Sequence, residues 1–404
     1  MRKITYTEIP GGITAPAGFT ASGSKAGIKQ SNKTDMGLLC SSHPAVAVGS
    51  FTQNRICAPC VQINRSKVPA ENIRAVFCNS GNANACTGSR GFDDVATITE
   101  TFAQKLSIAP EEILTASTGV IGEYLPVERI CDAAPHAVAA LMPEGSTDFA
   151  QAILTTDTVE KEYAIEVEFS TGTARIGGVC KGAGMIQPNM ATMLGFITSD
   201  VEIAPDDLNY LHKRAVEMTF NNLTVDGDTS TNDMVLTLAN GQSKIRISCE
   251  KDLEIMQSAL FTVYNALCAK IAADGEGATK RVEIHVYGGN TFDDCRMAAR
   301  AVANSNLVKT ALFGNDPNWG RILCAIGYSG AECREKDITV TLADTVVFSQ
   351  GRPTDFSPEQ LSQHLKTKAV TIEIDLGSAH KTHAVAHTCD FSYDYVKINA
   401  EYHT

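Results

Sequence analysis

Much that would assign a chain to a class at sight is missing here. No apolar run approaches the roughly 20 residues of a membrane-spanning helix, and the opening Met1-Arg2-Lys3-Ile4-Thr5-Tyr6-Thr7-Glu8 lacks the apolar core of a secretory signal. The expectation is a cytoplasmic protein with no membrane partner. Basic residues are in deficit, 34 Lys and Arg against 46 Asp and Glu, and the net charge of −12 argues against a nucleic-acid or anionic-membrane binder. Cys57-Ala58-Pro59-Cys60 has no second CxxC to complete a four-thiolate zinc site and no helix signal after it to make a redox motif. The 13 cysteines are odd in number and scattered through apolar segments, so they read as reduced thiols and not as a disulfide framework. No Gly-Lys-Ser or Gly-Lys-Thr is present, which excludes a P-loop. Two metal readings also fail. His380, His383 and His387 fall in and beside an alternating stretch of strand character, 382–388, without a carboxylate partner. The acidic run Asp226 to Asp233 has its glycine second and no glutamate in the closing position of a calcium loop. No metal and no bound cofactor is expected.

What remains is a globular chain, 44% apolar and 20% charged, long enough at 404 residues for a large core and two or three domains. Short alternating runs such as Ala45 to Phe51, and the turn residues around them, predict strands in the first 60 residues. Arg74 to Cys78 reads as a buried strand entering a tight loop of small amides and glycines, Asn79 to Gly88. Val95, Ile98, Phe102 and Leu106 then mark one helix face. Leu114 to Gly122 reads as a strand ending in Ser117-Thr118-Gly119, where two hydroxyls and a backbone amide meet. That is the equipment of an oxyanion site, although such a tripeptide also serves any turn. Residues 132–154 predict helix in two pieces, and 164–169 with 175–179 a hairpin. Downstream, helices are expected at 208–218, from about 252 to 271, from a Thr291/Asp294 capping box through about Leu307, and after Ser357-Pro358. Glu276 stands between Gly275 and Gly277, exposed on a tight turn or simply solvated. Trp319, the only tryptophan, stands among turn formers beside Arg321. Strands and helices alternate loosely, with several adjacent strand pairs. This predicts a mixed α/β (α+β) architecture and not a doubly wound parallel sheet.

The stretch from Gly178 to Phe196 reads badly as helix or strand. Its glycines and Pro188 make a shaped loop that delivers Thr192 to an apolar run starting at Met193; an ordinary turn feeding a core strand has the same composition.

The segment Lys181-Gly182-Ala183-Gly184-Met185-Ile186-Gln187-Pro188-Asn189-Met190-Ala191-Thr192-Met193-Leu194 closely resembles the self-cleavage segment of the ornithine acetyltransferase family of arginine biosynthesis. Six further segments resemble the family in the same order: Asn82 to Ala85 with Thr87-Gly88, Ser117 to Gly122, Thr155 to Thr158, Asp226 to Asp233, Asp316 to Arg321, and Ile398 to Tyr402. Departures are mild, namely Ala183 in place of a frequent serine, Gln187 before Pro188, and His403 in a variable penultimate position. The resemblance implies an N-terminal-nucleophile-like self-processing fold of the ornithine acetyltransferase and DmpA-like type. It implies autoproteolysis between Ala191 and Thr192, giving an α chain, 1–191, and a β chain, 192–404, which stay intertwined as a heterotetramer of two copies of each.

The implied chemistry is glutamate N-acetyltransfer by a ping-pong cycle. Thr192 takes acetyl from N2-acetyl-L-ornithine and passes it to L-glutamate, with Thr118 and Gly119 as oxyanion hole and Thr155, Lys181, Thr192, Glu276, Asn399 and Thr404 as substrate-binding residues. The cut frees an α-amine on the nucleophile, whose reference pKa of about 7.7 to 8.0 suits a general base. Lys181 is expected to face the substrate α-carboxylate and Glu276 an amine. Acetyl-CoA stands as a further donor only if the chain is bifunctional, as some members are. Two rivals remain: a self-cleaving aminopeptidase or amidohydrolase of similar fold, and an uncut protein whose loop binds a small anion.

Overall fold

The computed structural model describes residues 2–187 and 193–401. The larger sheet holds β1 (Tyr6–Ile9), β2 (Phe19–Ser24), β3 (Met36–Phe51), β4 (Ala70–Asn82), β5 (Ile113–Val120), β6 (Lys161–Phe169), β7 (Gly172–Lys181), β8 (Leu194–Ser199) and, after the short β9 (Glu202–Ile203), β10 (Met234–Ala239). Their order is β1-β6-β7-β8-β10-β3-β4-β5, with β2 beside β3. β11 (Arg246–Ile247) pairs only with β9. The second sheet runs β15 (Arg352–Pro353), β14 (Thr345–Ser349), β13 (Thr339–Leu342), β16 (Ala369–Asp375), β12 (Arg281–Tyr287), β17 (His383–Cys389). Only β4–β5 and β8–β10 are parallel neighbours in the larger sheet, so the mixed architecture is as expected.

Why β8 reads as a continuous apolar run follows from its place. It lies inside the sheet, antiparallel to β7 and parallel to β10, and all six residues are buried. Phe196 points to one face, edge-on to Phe149 at 5.2 Å, whereas Ile197 joins the core on the other. A strand covered on both faces loses the polar half of its alternation. Strands from both sides of residue 191 therefore share one sheet, since β10 also pairs with β3.

The helix Glu250–Ala273 packs on β6 and β7 and, across its other side, on β12 and β17. Burial on two sides explains its apolar surface around most of its circumference; Met256, Leu260, Val263, Leu267 and Ile271 are fully buried. Its C-terminal end delivers Asp274, Gly275 and Glu276.

Several local expectations are corrected. A helix, Pro59–Lys67, starts inside the Cys-Ala-Pro-Cys motif with proline at its first turn, a signal that the missing polar cap concealed. It does not create a reactive thiol, because burial pushes Cys60 up to about 11, and all thirteen cysteines are free. The Thr291/Asp294 capping box forms, but its helix stops at Asn304; the Ser305 hydroxyl accepts from Val308 N at 3.3 Å and starts another, Asn306–Phe313. Trp319 opens a helix, Trp319–Tyr328, capped by Asn318, and stacks on Phe348 at 5.5 Å. The amide-rich run after Cys78 stays in β4 as far as Asn82, and Ser117-Thr118-Gly119 lies within β5 and not in a turn. His387 is buried and meets Asn265 Oδ1 at 2.8 Å, while His383 stacks on Tyr287 at 4.4 Å.

One buried histidine sets an acid limit on the fold. His212 is enclosed between Ser50, Thr237 and Tyr264, each 2.9 Å from a ring nitrogen, and burial pushes it down to about 3. Unfolded imidazole protonates near about 6.5, so between these values the unfolded chain binds the extra proton. Stability is full above the unfolded value and is lost as pH falls toward the folded one; His387, pushed down to about 4 by burial, acts in the same direction. Chemical denaturation should give a lower midpoint at about pH 4.5 than at about pH 7.5, with a smaller difference in His212→Gln. An equal difference in both proteins would contradict this assignment.

Candidate active site

The site is assembled where four backbone segments end. The first is the parallel pair β4–β5, in which Ser80 lies beside Thr118 and Gly81 beside Gly119. Gly119 has φ +133°, and a Cβ there would lie 2.3 Å from the Gly81 carbonyl carbon and 2.4 Å from Asn82 N. Only glycine allows that approach. The surrounding amides act as braces. Asn232 Nδ2 donates to the carbonyls of Ala83 at 2.6 Å and Ser117 at 2.8 Å, and the Ser117 hydroxyl donates to Asn79 Oδ1 at 2.7 Å.

The second segment is the end of β7, where Lys181 pairs with Leu194. Beside it the side chain of Asp157 is buried and accepts from Lys161 Nζ at 2.7 Å, Gly182 N at 2.6 Å and Thr155 N at 3.1 Å. Burial alone would raise this carboxyl, but Lys181 and Lys161 together with these hydrogen bonds hold it well below the usual carboxylate range. Lys161 is committed, since it also reaches Asp274 Oδ2 at 2.5 Å. Lys181 stands 3.9 Å from Asp157, a long ion pair that leaves its ammonium available to the cavity.

The third segment is the loop before Pro188. Asp226 accepts from Met185 N at 2.7 Å and Ile186 N at 2.8 Å, and Ile186 O accepts from Val225 N at 2.8 Å. On the far side Met193 O accepts from Met234 N at 3.0 Å, directly before β8. The described chain is thus anchored at Met185 and Ile186 on one side and at Met193 on the other. Thr192, Ala191 and Thr404 themselves lie outside the described residues, as do Pro188 and His403.

The fourth is the turn after the Glu250–Ala273 helix. Glu276 N donates to Ala183 O at 2.8 Å, and Asn399 Nδ2, from the helix Tyr393–Glu401, donates to Glu276 Oε2 at 2.7 Å. A Cβ on Gly184 would come within 2.3 Å of the Glu276 carboxyl, so the glycine makes room for that group. Glu276 is buried, which decides against the solvated-loop reading.

Thr118, Gly119, Thr155, Lys181, Glu276 and Asn399, all singled out from sequence, line one cavity of about 150 Å³, together with Met193 and Leu194. Sequence reasoning missed Asp157, Asp226, Asn232 and Asp233. The signal was present, because they sit in the Thr155 to Thr158 and Asp226 to Asp233 segments, but the second was weighed only as a calcium loop. Among the described residues no group of three metal-ligating side chains gathers.

A family model described as the ArgJ family matches residues 20–404. The chain belongs to the ArgJ family. It is 45% identical to the arginine biosynthesis bifunctional protein ArgJ of Synechococcus over all of both chains, and 46% identical to that of Symbiobacterium thermophilum over 98% of this chain and 99% of the relative. The crystal structure of the arginine biosynthesis bifunctional protein argJ from Bacillus halodurans is similar with a TM-score of 0.51 and 42% identity, over 52% of this chain and all of that one. The resemblance drawn from seven ordered segments is thereby shown, and with it the self-processing type of α/β fold. Relatives named as bifunctional biosynthetic proteins over the whole length favour an enzyme over a binding protein whose loop holds a small anion. Among the described residues of this ArgJ-family chain, no helix is long and apolar enough to cross a membrane.

Proposed function

We propose that this chain is the glutamate N-acetyltransferase of arginine biosynthesis, a transferase that cuts itself before Thr192 and uses that residue to carry acetyl from N2-acetyl-L-ornithine to L-glutamate. The observation that carries the reading is the convergence of six residues, named beforehand on remote segments, on one cavity beside the anchored ends of residues 188–192. In this reading the neutral α-amine of Thr192 takes the proton of the Thr192 hydroxyl as its oxygen attacks the acetyl carbonyl. The resulting oxyanion is met by the Thr118 hydroxyl and the Gly119 N–H, and the amine of ornithine leaves with a proton from the Thr192 α-amine. Glutamate then attacks the acetyl ester by the reverse steps. Residues 1–191 and 192–404 stay together because β8 and β10 lie between strands of the first fragment. A division of the chain into two parts is in keeping with the Bacillus halodurans chain, all of which matches 52% of this one. Assembly of two copies of each fragment, a cytoplasmic location and the role of Thr404 are carried over from the resemblance alone.

Charge in the cavity supports the substrate class. Lys181 offers a cation and Glu276 an anion within one small pocket, which matches the α-carboxylate and an amine of ornithine. Lys181→Met is expected to raise KM for acetylornithine by about 10- to 100-fold, the scale of a lost hydrogen bond to a charged group. An unchanged KM would remove the lysine from this role. The proposal as a whole is tested by supplying acetylornithine or acetyl-CoA as donor and glutamate as acceptor. Acetylglutamate formed from acetylornithine is expected; hydrolysis without transfer would favour the aminopeptidase reading instead. Product from acetyl-CoA as well would make the chain bifunctional, as its relatives are named.

A further inference from the structure

Among the described residues two lysines, Lys161 and Lys309, are fully buried, and the proposed chemistry gives neither a part. Lys309 shows how little a buried ammonium needs, since its Nζ donates to the Thr388 hydroxyl at 2.8 Å and the Cys389 carbonyl at 2.5 Å. Lys161 instead holds two carboxylates, Asp157 at 2.7 Å and Asp274 at 2.5 Å, whose side chains are 0% and 7% exposed. Burial alone would lower the Lys161 ammonium, but the two aspartates raise it above its ordinary value, so it stays charged. Such a buried cluster adds little net stability, because desolvation offsets the attraction; what it supplies is a fixed geometry.

That geometry is a closed ring through two walls of the catalytic cavity. On one side Asp157 accepts from Gly182 N at 2.6 Å and Thr155 N at 3.1 Å, fixing the residue after Lys181 and a second residue of the lining. On the other, Asp274 ends the Glu250–Ala273 helix, its N–H donating to Lys270 O at 3.2 Å and Ile271 O at 3.1 Å. Its carboxylate also accepts from Thr158 N at 3.0 Å and from the Thr158 hydroxyl. Two residues on, Glu276 N donates to Ala183 O at 2.8 Å, which returns the path to the segment that carries Lys181. Lys161 thus joins the wall that bears Lys181 to the wall that bears Glu276. We infer that Lys161, with Asp157 and Asp274, is a positioning strut that sets the distance between Lys181 and Glu276 and so selects the length of the acetyl donor. This rests on the reading that those two residues meet the donor's α-carboxylate and side-chain amine.

The consequence is selectivity by chain length. N2-acetyl-L-lysine places one more methylene between carboxylate and ammonium than N2-acetyl-L-ornithine does, and N2-acetyl-L-2,4-diaminobutyrate one fewer. Both ends of the pocket are pinned. Lys181 closes β7 with Gly182 N tied to Asp157, and Glu276 is held by Ala183 O and by Asn399 Nδ2 at 2.7 Å. A donor of the wrong length leaves a charge in the pocket without its partner, which is worth about 10-fold or more in discrimination.

Asp274→Ala cuts the strut on the Glu276 side, and kcat/KM for the three acetyl donors reads the effect. Wild type should favour acetylornithine over each homologue by about 10-fold or more. In the variant that preference should shrink to about threefold or less, chiefly through a higher KM for acetylornithine. Asp274→Asn should keep the preference, because its amide can accept from Lys161 and Thr158 N and donate to the Thr158 hydroxyl. A folded alanine variant slowed by the same factor with all three donors would assign the cluster to stability alone and overturn the inference. Loss of the preference in Asp274→Asn would refute it too, since the geometry is then kept and the selectivity is not. Should Asp274→Ala fail to fold, Thr158→Ala, at an exposed position, decides: the preference falls in the same direction, or, if unchanged, the strut is refuted. Wild type that transfers equally from all three donors would also overturn the inference. Wild type that transfers from none of them would instead overturn the acetyltransfer reading itself.

Discussion

Thr192→Ala is expected to yield one uncut chain and to lose acetyl transfer by a factor on the order of 10⁶, the scale on which removing a covalent nucleophile acts. Two losses combine. The hydroxyl that must attack the preceding carbonyl is gone, so no α-amine is freed, and the group that would carry acetyl is gone with it. Thr192→Ser keeps the hydroxyl and should still be cut, with lower turnover because it lacks the methyl group that restricts χ1. The anchors around residues 188–192 involve Asp226, Val225 and Met234 and not the threonine, so neither variant should unfold. Equal transfer rates in the alanine variant and the wild type would end this account of the chemistry.

Gly119→Ala is expected to have the next largest effect, for a reason visible in distances. Its Cβ would sit 2.3 Å and 2.4 Å from backbone atoms of Gly81 and Asn82, and strand backbone cannot swing aside as a flexible side chain can. Positive φ at +133° adds strain for any residue with a Cβ. The end of β5 must part from β4, carrying Thr118 with it, and the oxyanion donors lose their aim. A fall of about 10²- to 10³-fold in kcat is expected. It should come with a loss on the order of a few kcal/mol in stability, read by denaturation. A folded Gly119→Ala protein with wild-type kcat would show that Thr118 and Gly119 do not hold the oxyanion.

The elements that were legible in the sequence are those with one clear environment. The Gly88–Leu106 helix shows its buried face at Val95, Ile98 and Phe102, and the β6–β7 hairpin shows its alternation and its turn. The breaks at Asn304 and before Trp319 were not legible, because Ser305 and Asn318 are adequate loop residues until they are seen capping helices. In the site, the residues that face substrate in the proposed mechanism could be named from motif segments. Asp157 lies in such a segment too, but its role was hidden there, because it depends on Lys161 and Gly182 arriving from β6 and the end of β7. Asn232 and Asp233 adjoin each other in sequence yet do different work. One braces two strand carbonyls and the other lines the cavity, a distinction that only the packing of β10 against β8 creates.

The central claim is that Thr192 becomes an N-terminal nucleophile that carries acetyl. Its direct test is the intact mass of the purified protein after incubation with N2-acetylornithine and no acceptor, quenched in acid. The account predicts two fragments meeting at Ala191 and Thr192, the second heavier by one acetyl group on Thr192, and loss of that group when glutamate is added. A single chain that resists prolonged incubation, or two fragments that never gain acetyl while acetylglutamate forms, would contradict it.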